Sequence, residues 1–294
     1  MRGATIRLER ENEGAIMELD ICVLASGSNA NSLLVRAGRT RVLIDAGLSA
    51  RETVRRLDTL AVAPESVAAI CLTHEHKDHC KGVAVLHARY GIPLYANAGT
   101  IEGVMRDQAG ARLDWNVFST GAGFPLHELA IHPFSVSHDA FEPVGFTIAA
   151  GESRIGIITD SGSVPAAALD RLHACDLVVM EANHDTAMLR QSGRPYALRR
   201  RIEGPRGHLS NVAAADALCS LGPSRLQAVL LAHLSADCNT PELATDTVRD
   251  ALGRAGMARV TVQPTSRNGM GTVIPVSRLR IAPPVDSRSC PVLA

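Results

Sequence analysis

The chain has 294 residues, 46% of them hydrophobic and only 3% aromatic, and its 30 basic side chains balance 30 acidic ones. That apolar share excludes a disordered chain, and a formal charge of zero excludes a global field for nucleic acid or an anionic membrane, leaving only local attraction. The seven cysteines form no Cys-x-x-Cys pair and are odd in number, the usage of a cytoplasmic protein with reduced thiols and not of a disulfide framework.

Residues 1–16, with Arg2, Arg7, Glu9, Arg10, Glu11 and Glu13, are too polar for a secretory signal, and no apolar run is long enough to span a membrane. They are expected to be a disordered leader, or to precede a true start at Met17. A single domain is expected over 17–282 and an unstructured tail over 283–294. Strand patterns over 19–24, 32–36 and 41–44, separated by Gly, Ser and Asn, suggest a β-meander. Helical spacing follows over 51–60, a buried strand over 67–72 and a helix over 80–90. Further strands are expected at 93–96, 129–136, 144–149 and 154–159. The second half alternates helix 165–173, strand 177–181, helix 211–221, strand 228–231 and helix 241–255, and a strand pair over 260–263 and 271–276 is expected to close the chain. The fold class is therefore α/β, an αββα sandwich of two packed β-sheets with helices outside.

The segment His74-x-His76-x-Asp78-His79 directly follows the apolar strand that ends at Leu72. In an extended or turning backbone, residues two apart project to one side, so His74 and His76 can share a cation. Asp78 and His79, at the start of the next helix, are placed to hold a second ion beside it.

This segment resembles the signature of the metallo-β-lactamase superfamily, and the rest of that superfamily's motifs stand in the expected order along the chain. They are Ile44-Asp45-Ala46-Gly47, Ser137-His138-Asp139, Thr159-Asp160-Ser161-Gly162 and Ala232-His233-Leu234-Ser235. The resemblance implies that His74, His76 and His138 bind one metal, that Asp78, His79 and His233 bind a second, and that Asp160 bridges them. Asp45 is then expected to orient ligands from behind. A narrower resemblance, to the bacterial WalJ/YycJ subfamily of exonucleases, rests on Leu24-Ala25-Ser26-Gly27-Ser28 with Asn29 and Asn31, on Met180 to Asp185, and on Gly207-His208-Leu209-Ser210-Asn211. Glu181 and His208 are also similar to a glutamate and a histidine of ribonuclease Z that assist proton transfer to the leaving oxygen. Here Met180 and Leu209 depart from that family's motifs.

These residues point to a two-metal hydrolase, with Asp78, His208 and Glu181 as candidate catalytic residues. Two divalent ions sharing Asp160 make a bridging water acidic enough to serve as hydroxide near neutral pH. Mixed imidazole and carboxylate donors suit zinc, with manganese the alternative. A phosphodiesterase or nuclease is the expected activity, the resemblance implying a DNA exonuclease. Hydrolysis of a small ester, thioester or cyclic phosphodiester is the second reading, and a metal-stabilised regulatory or scaffold protein the third. Nucleic acid is the expected partner, with arginines 190, 194, 199, 200, 201 and 206 either gripping its backbone or forming a solvated helix face. Candidate substrate contacts are Ser26, Ser28, Asn31, Asn183, His184, Arg199, Arg200, Ser210 and Asn211. The assembly state is open, a homodimer being one option.

Overall fold

The computed structural model describes residues 18–266 and 269–279, so the expected leader 1–16 and tail 283–294 lie outside the described residues. β1 (Leu19–Ala25), β2 (Ser32–Ala37) and β3 (Thr40–Ile44) form the antiparallel meander. β4 (Ala69–Cys71), β5 (Leu94–Ala96) and β6 (Trp115–Val117) extend that sheet in parallel. A second sheet begins with β7 (Phe124–Leu126), β8 (Leu129–Ser135), β9 (Val144–Ala150) and β10 (Ser153–Ile158), antiparallel in turn. It continues in parallel with β11 (Leu177–Glu181), β12 (Ala228–Ala232) and β13 (Thr261–Pro264).

The chain then returns to the first sheet, where β14 (Ile274–Pro275) pairs with β1. The expected closing pair is thus corrected, since its two segments lie in different sheets of seven strands each. Pairing β13 with β12 and β14 with β1 satisfies the backbone of two edges at once, whereas a hairpin between them leaves both open.

Among the described residues, ten α-helices flank the sheets: α1 (Ala50–Thr59), α2 (Lys77–Cys80), α3 (Val83–Tyr90), α4 (Ala98–Asp107), α5 (Ala166–Leu172), α6 (Thr186–Gln191), α7 (Tyr196–Ile202), α8 (Asn211–Ser220), α9 (Pro241–Arg254) and α10 (Val276–Leu279). Ser49, Asn97, Asp185, Ser210 and Thr240 cap five of them, each side chain accepting from an N–H of the first turn. The helix expected over 80–90 is interrupted. Gly82 lies against the Ala46–Leu48 backbone, donating to the Ala46 carbonyl at 2.8 Å, and a side chain there would strike the Leu48 carbonyl.

Strand residues alternate between two buried faces. Leu19, Ile21 and Val23 of β1 meet Phe146 and Ile148 of β9 between the sheets, while Cys22 and Leu24 pack beneath the helices. In β11, Leu177 and Val179 face the first sheet and Val178 and Met180 face helices α8 and α9. Burial on both sides explains why these strands read as unbroken apolar runs. The strand directions bring the C-terminal ends of β1, β3, β4, β8, β10, β11 and β12 to one rim of the sandwich, where a crevice can form between the sheets.

Candidate metal centre

Each proposed donor follows one of those strand ends. His74 to His79 follow β4, His138 follows β8, Asp160 follows β10 and His233 follows β12. Asp45, Asp160 and His233 all turn sharply there, with φ of 62°, 52° and 57°. Non-glycine residues rarely hold this left-handed conformation, and it costs on the order of 1 kcal/mol or more each. The strain bends the chain out of the sheet at the positions where side chains enter the crevice.

At the first cluster, Nε2 of His74 lies 3.1 Å from Nδ1 of His76, which lies 3.3 Å from Nε2 of His138. The opposite nitrogens of two of these rings are committed: His138 Nδ1 donates to the Gly207 carbonyl at 3.1 Å, and His74 Nδ1 donates to Thr73 Oγ1 at 3.0 Å. The Nε2 lone pairs of His74 and His138 are therefore both turned toward His76 Nδ1. A tetrahedral zinc with bonds of about 2.0 Å spaces its ligands about 3.3 Å apart, so the donors fit a cation. Burial holds the His74 and His138 imidazoles below their ordinary pKa, in the neutral form that ligates.

The second cluster comprises Asp78, His79 and His233. His79 Nδ1 donates to Asp45 Oδ2 at 2.7 Å, leaving the Nε2 lone pair toward Asp160 Oδ2 at 3.1 Å and Asp78 Oδ2 at 3.5 Å. Asp160 Oδ2 and His233 Nε2 are buried without hydrogen-bond partners. Buried acceptors left without a donor are costly unless a cation lies beside them. Asp160 also reaches the first cluster, with Oδ1 3.9 Å from His138 Nε2. Burial alone pushes the Asp160 carboxyl up, but His233 and His79 outweigh it and hold the pKa well below the carboxylate range. For His79 and His233, burial is outweighed by the carboxylates of Asp45, Asp160 and Glu181, and both are pushed up. The field that favours a proton there also favours a divalent ion.

Asp45 and Asn31 support this arrangement from behind. Asp45 accepts from the Thr73 N–H at 2.8 Å and the Thr73 hydroxyl at 2.9 Å, besides His79. Asn31 donates to Asp78 Oδ2 at 3.1 Å and lies 2.9 Å from His79 Nε2, so this expected substrate contact is aimed at the metal donors. Glu181 is fully buried. Its Oε1 accepts from Nδ1 of both His208 and His233 at 2.8 Å, and its Oε2 accepts from the Ser161 N–H at 2.7 Å. It is fully enclosed, so any part it takes in proton transfer runs through His208. For His208, burial lowers the pKa, but Glu181 and Asp160 outweigh it and raise it to about 9.

Several expected substrate contacts are taken up within the protein. Asn211 exchanges hydrogen bonds with Asn239, Asn183 donates to the His233 carbonyl, Ser26 accepts from the His233 N–H, and Ser210 caps α8. Asn211 is 1% exposed, so that contact is corrected. Ser28, Asn183 and His208 do line a cavity of about 170 Å³ with Arg194 and Arg201. Arg194 pairs with Asp237, Arg201 with Asp139 and Arg190 with Glu203, while Arg199 reaches the Arg190 carbonyl. Arginine pairing of this kind is invisible in sequence because Asp139 and Asp237 are far away along the chain.

Residues 40–234 match the family model described as the β-lactamase superfamily domain. The chain is 35% identical over 241 residues to the exodeoxyribonuclease YycJ of Bacillus anthracis, covering 82% of this chain and 91% of that protein. It is 34% identical over 238 residues to the exodeoxyribonuclease WalJ of Streptococcus pneumoniae, covering 80% and 88%. Among solved structures, the metallo-β-lactamase fold protein YhfI of Bacillus subtilis aligns with a TM-score of 0.68 at 17% identity, covering 87% of this chain and 99% of that one. The human short form of tRNase Z aligns at 0.61 with 17% identity, again covering 87% and 99%. At such identities the structural likeness speaks for the fold.

Proposed function

This chain belongs to the β-lactamase superfamily domain family, in the branch of the YycJ and WalJ exodeoxyribonucleases, and on that premise we propose that it is a metal-dependent DNA exonuclease. The observation that carries the reading is the pair of adjoining donor sets, His74/His76/His138 and Asp78/His79/His233, with Asp160 between them. Zinc is the proposed ion, with manganese the alternative because Asp78 and Asp160 bring oxygen donors to the second set. The six described cysteines are unpaired, which supports a cytoplasmic location, and no described helix is long and apolar enough to cross a membrane.

When bound, two divalent ions supply Lewis acidity toward water and toward the phosphoryl oxygens on which charge builds. The chain's own part is positioning and proton transfer. Asp45, Thr73 and the Gly207 carbonyl fix which ring nitrogen of His79, His74 and His138 carries the proton. Glu181 holds His208 and His233 through one oxygen, so that the general acid and the second donor set keep a fixed relation. His208, its pKa raised to about 9, is protonated at neutral pH and gives its proton to the departing oxygen. Asp78 serves as a metal donor and Glu181 as a positioning residue.

The reading is tested by supplying zinc- or manganese-loaded protein with 5′-phosphorylated duplex DNA, single-stranded RNA, bis(p-nitrophenyl) phosphate and a thioester. Cleavage of DNA above the other substrates is expected, with loss of activity in Asp78→Ala and His208→Ala. Hydrolysis of the thioester without any phosphodiester cleavage overturns it.

A further inference from the structure

His208 stands between two cavities. One holds Asp139, Asn183 and Arg201; the other, about 350 Å³, is lined by Gly162, His184, Thr186, Arg190, Arg200, Glu203, Ser210 and Ala213 besides His208. The second cavity lies outside the metal donor set. Its charged groups are Arg190, Arg200, Glu203 and the His208 imidazolium, and Glu203 is spoken for by Arg190 at 3.3 Å. Arg200 has no ion-pair partner among the described residues, unlike Arg190, Arg194 and Arg201. His184 is 3% exposed, and its Nδ1 is buried with no hydrogen-bond partner. An imidazole nitrogen left unpaired in this way is costly, and a ligand that accepts a hydrogen bond relieves the cost. The wall also carries the Thr186 hydroxyl and the capped N-terminus of α8, whose peptide dipoles favour an anion.

Net positive charge, a free guanidinium and an unpaired buried imidazole nitrogen describe an anion site. We propose that this cavity is a phosphate subsite that takes the diester next to the scissile one, anchored by Arg200 and His184, so that the strand passes across His208. The proposal rests on the nuclease reading and adds to it a second point of grip. Arginine is suited to this because its fork meets two phosphate oxygens at once.

The test uses metal-loaded protein and a fluorescein-labelled, phosphorothioate-linked oligodeoxynucleotide that resists cleavage, with binding read by anisotropy over a range of salt. Arg200→Glu is expected to weaken binding at least about tenfold, as loss of a charged hydrogen bond does. It also lowers the slope of log Kd against log salt by about one, as loss of one phosphate contact does. Arg200→Gln gives a smaller loss in the same direction, and Arg249→Glu, on an exposed position of α9, gives neither effect. In turnover, the loss of kcat/KM for a natural strand exceeds that for bis(p-nitrophenyl) phosphate, which has no neighbouring diester. If the wild type cleaves DNA and both Arg200 variants bind the strand as tightly as it does, the subsite is overturned while the nuclease reading stands. If the wild type hydrolyses bis(p-nitrophenyl) phosphate yet neither binds nor cleaves the strand, the nuclease reading itself is overturned and the subsite with it.

Discussion

Asp45→Asn isolates what the carboxylate behind the second donor set does. Asp45 is 3% exposed and receives three hydrogen bonds, two of them at Oδ2 from His79 Nδ1 and the Thr73 hydroxyl. Asparagine keeps the volume but must turn an NH2 toward at least one of these donors. If it faces His79, the imidazole is driven to the other tautomer and its proton lands on Nε2, the lone pair aimed at Asp78 and Asp160. Loss of such a supporting contact lowers metal affinity by about 10- to 100-fold, or roughly 1.4–2.7 kcal/mol. Asp45→Ala is a harsher change, because three buried donors lose their acceptor at about 1–3 kcal/mol each, against a total stability of about 5–15 kcal/mol. The assay is equilibrium dialysis against a graded chelator with metal counted by mass spectrometry, alongside a thermal melt. Asp45→Asn is expected to keep its fold and one tightly held ion while the second weakens. Two ions retained at wild-type affinity refute the assignment of Asp45 as the group that sets the His79 tautomer.

Other substitutions probe different parts of the structure. Glu181→Gln removes the strongest influence raising His208, whose proton is held below about pH 9 and lost above it. The alkaline limb of the pH–rate profile should therefore move toward neutral pH, with kcat reduced about 100-fold; an unmoved limb contradicts proton donation by His208. A Cβ at Gly47 would collide with the Asp78 carbonyl, so Gly47→Ala should cost about 3 kcal/mol by urea denaturation and release metal, and wild-type stability would refute this close approach. Phe146, fully buried between the sheets, should cost about 3–5 kcal/mol as Phe146→Ala in the same assay, and a loss under about 1 kcal/mol would mean that the two sheets do not pack there.

Much of the donor set is legible in the sequence because His74, His76, Asp78 and His79 crowd into six residues after a buried strand, and His138, Asp160 and His233 each stand just beyond an apolar run. Strand ends are visible as changes in hydrophobic pattern, so the order of the motifs maps onto the rim. The backbone that aims these residues is not visible, since nothing in the local composition marks Asp45, Asp160 or His233 for a positive φ. Glu181 is legible as a site residue, yet its burial depends on two histidines 27 and 52 residues away. The short helices α6 and α7 carry few buried apolar residues, Leu189 and Ile202, and so leave little periodic signal. The partner of β14 is equally hidden, because only the completed first sheet presents the edge of β1.

The most direct test of a two-metal exonuclease is the product of the first turnovers on DNA. Metal-loaded protein should release mononucleotides from the earliest time points on an end-labelled duplex, with the remaining strand shortening one residue at a time, and His76→Ala should release none. Internal fragments appearing first, or intact DNA in the presence of protein carrying two bound ions, would contradict it.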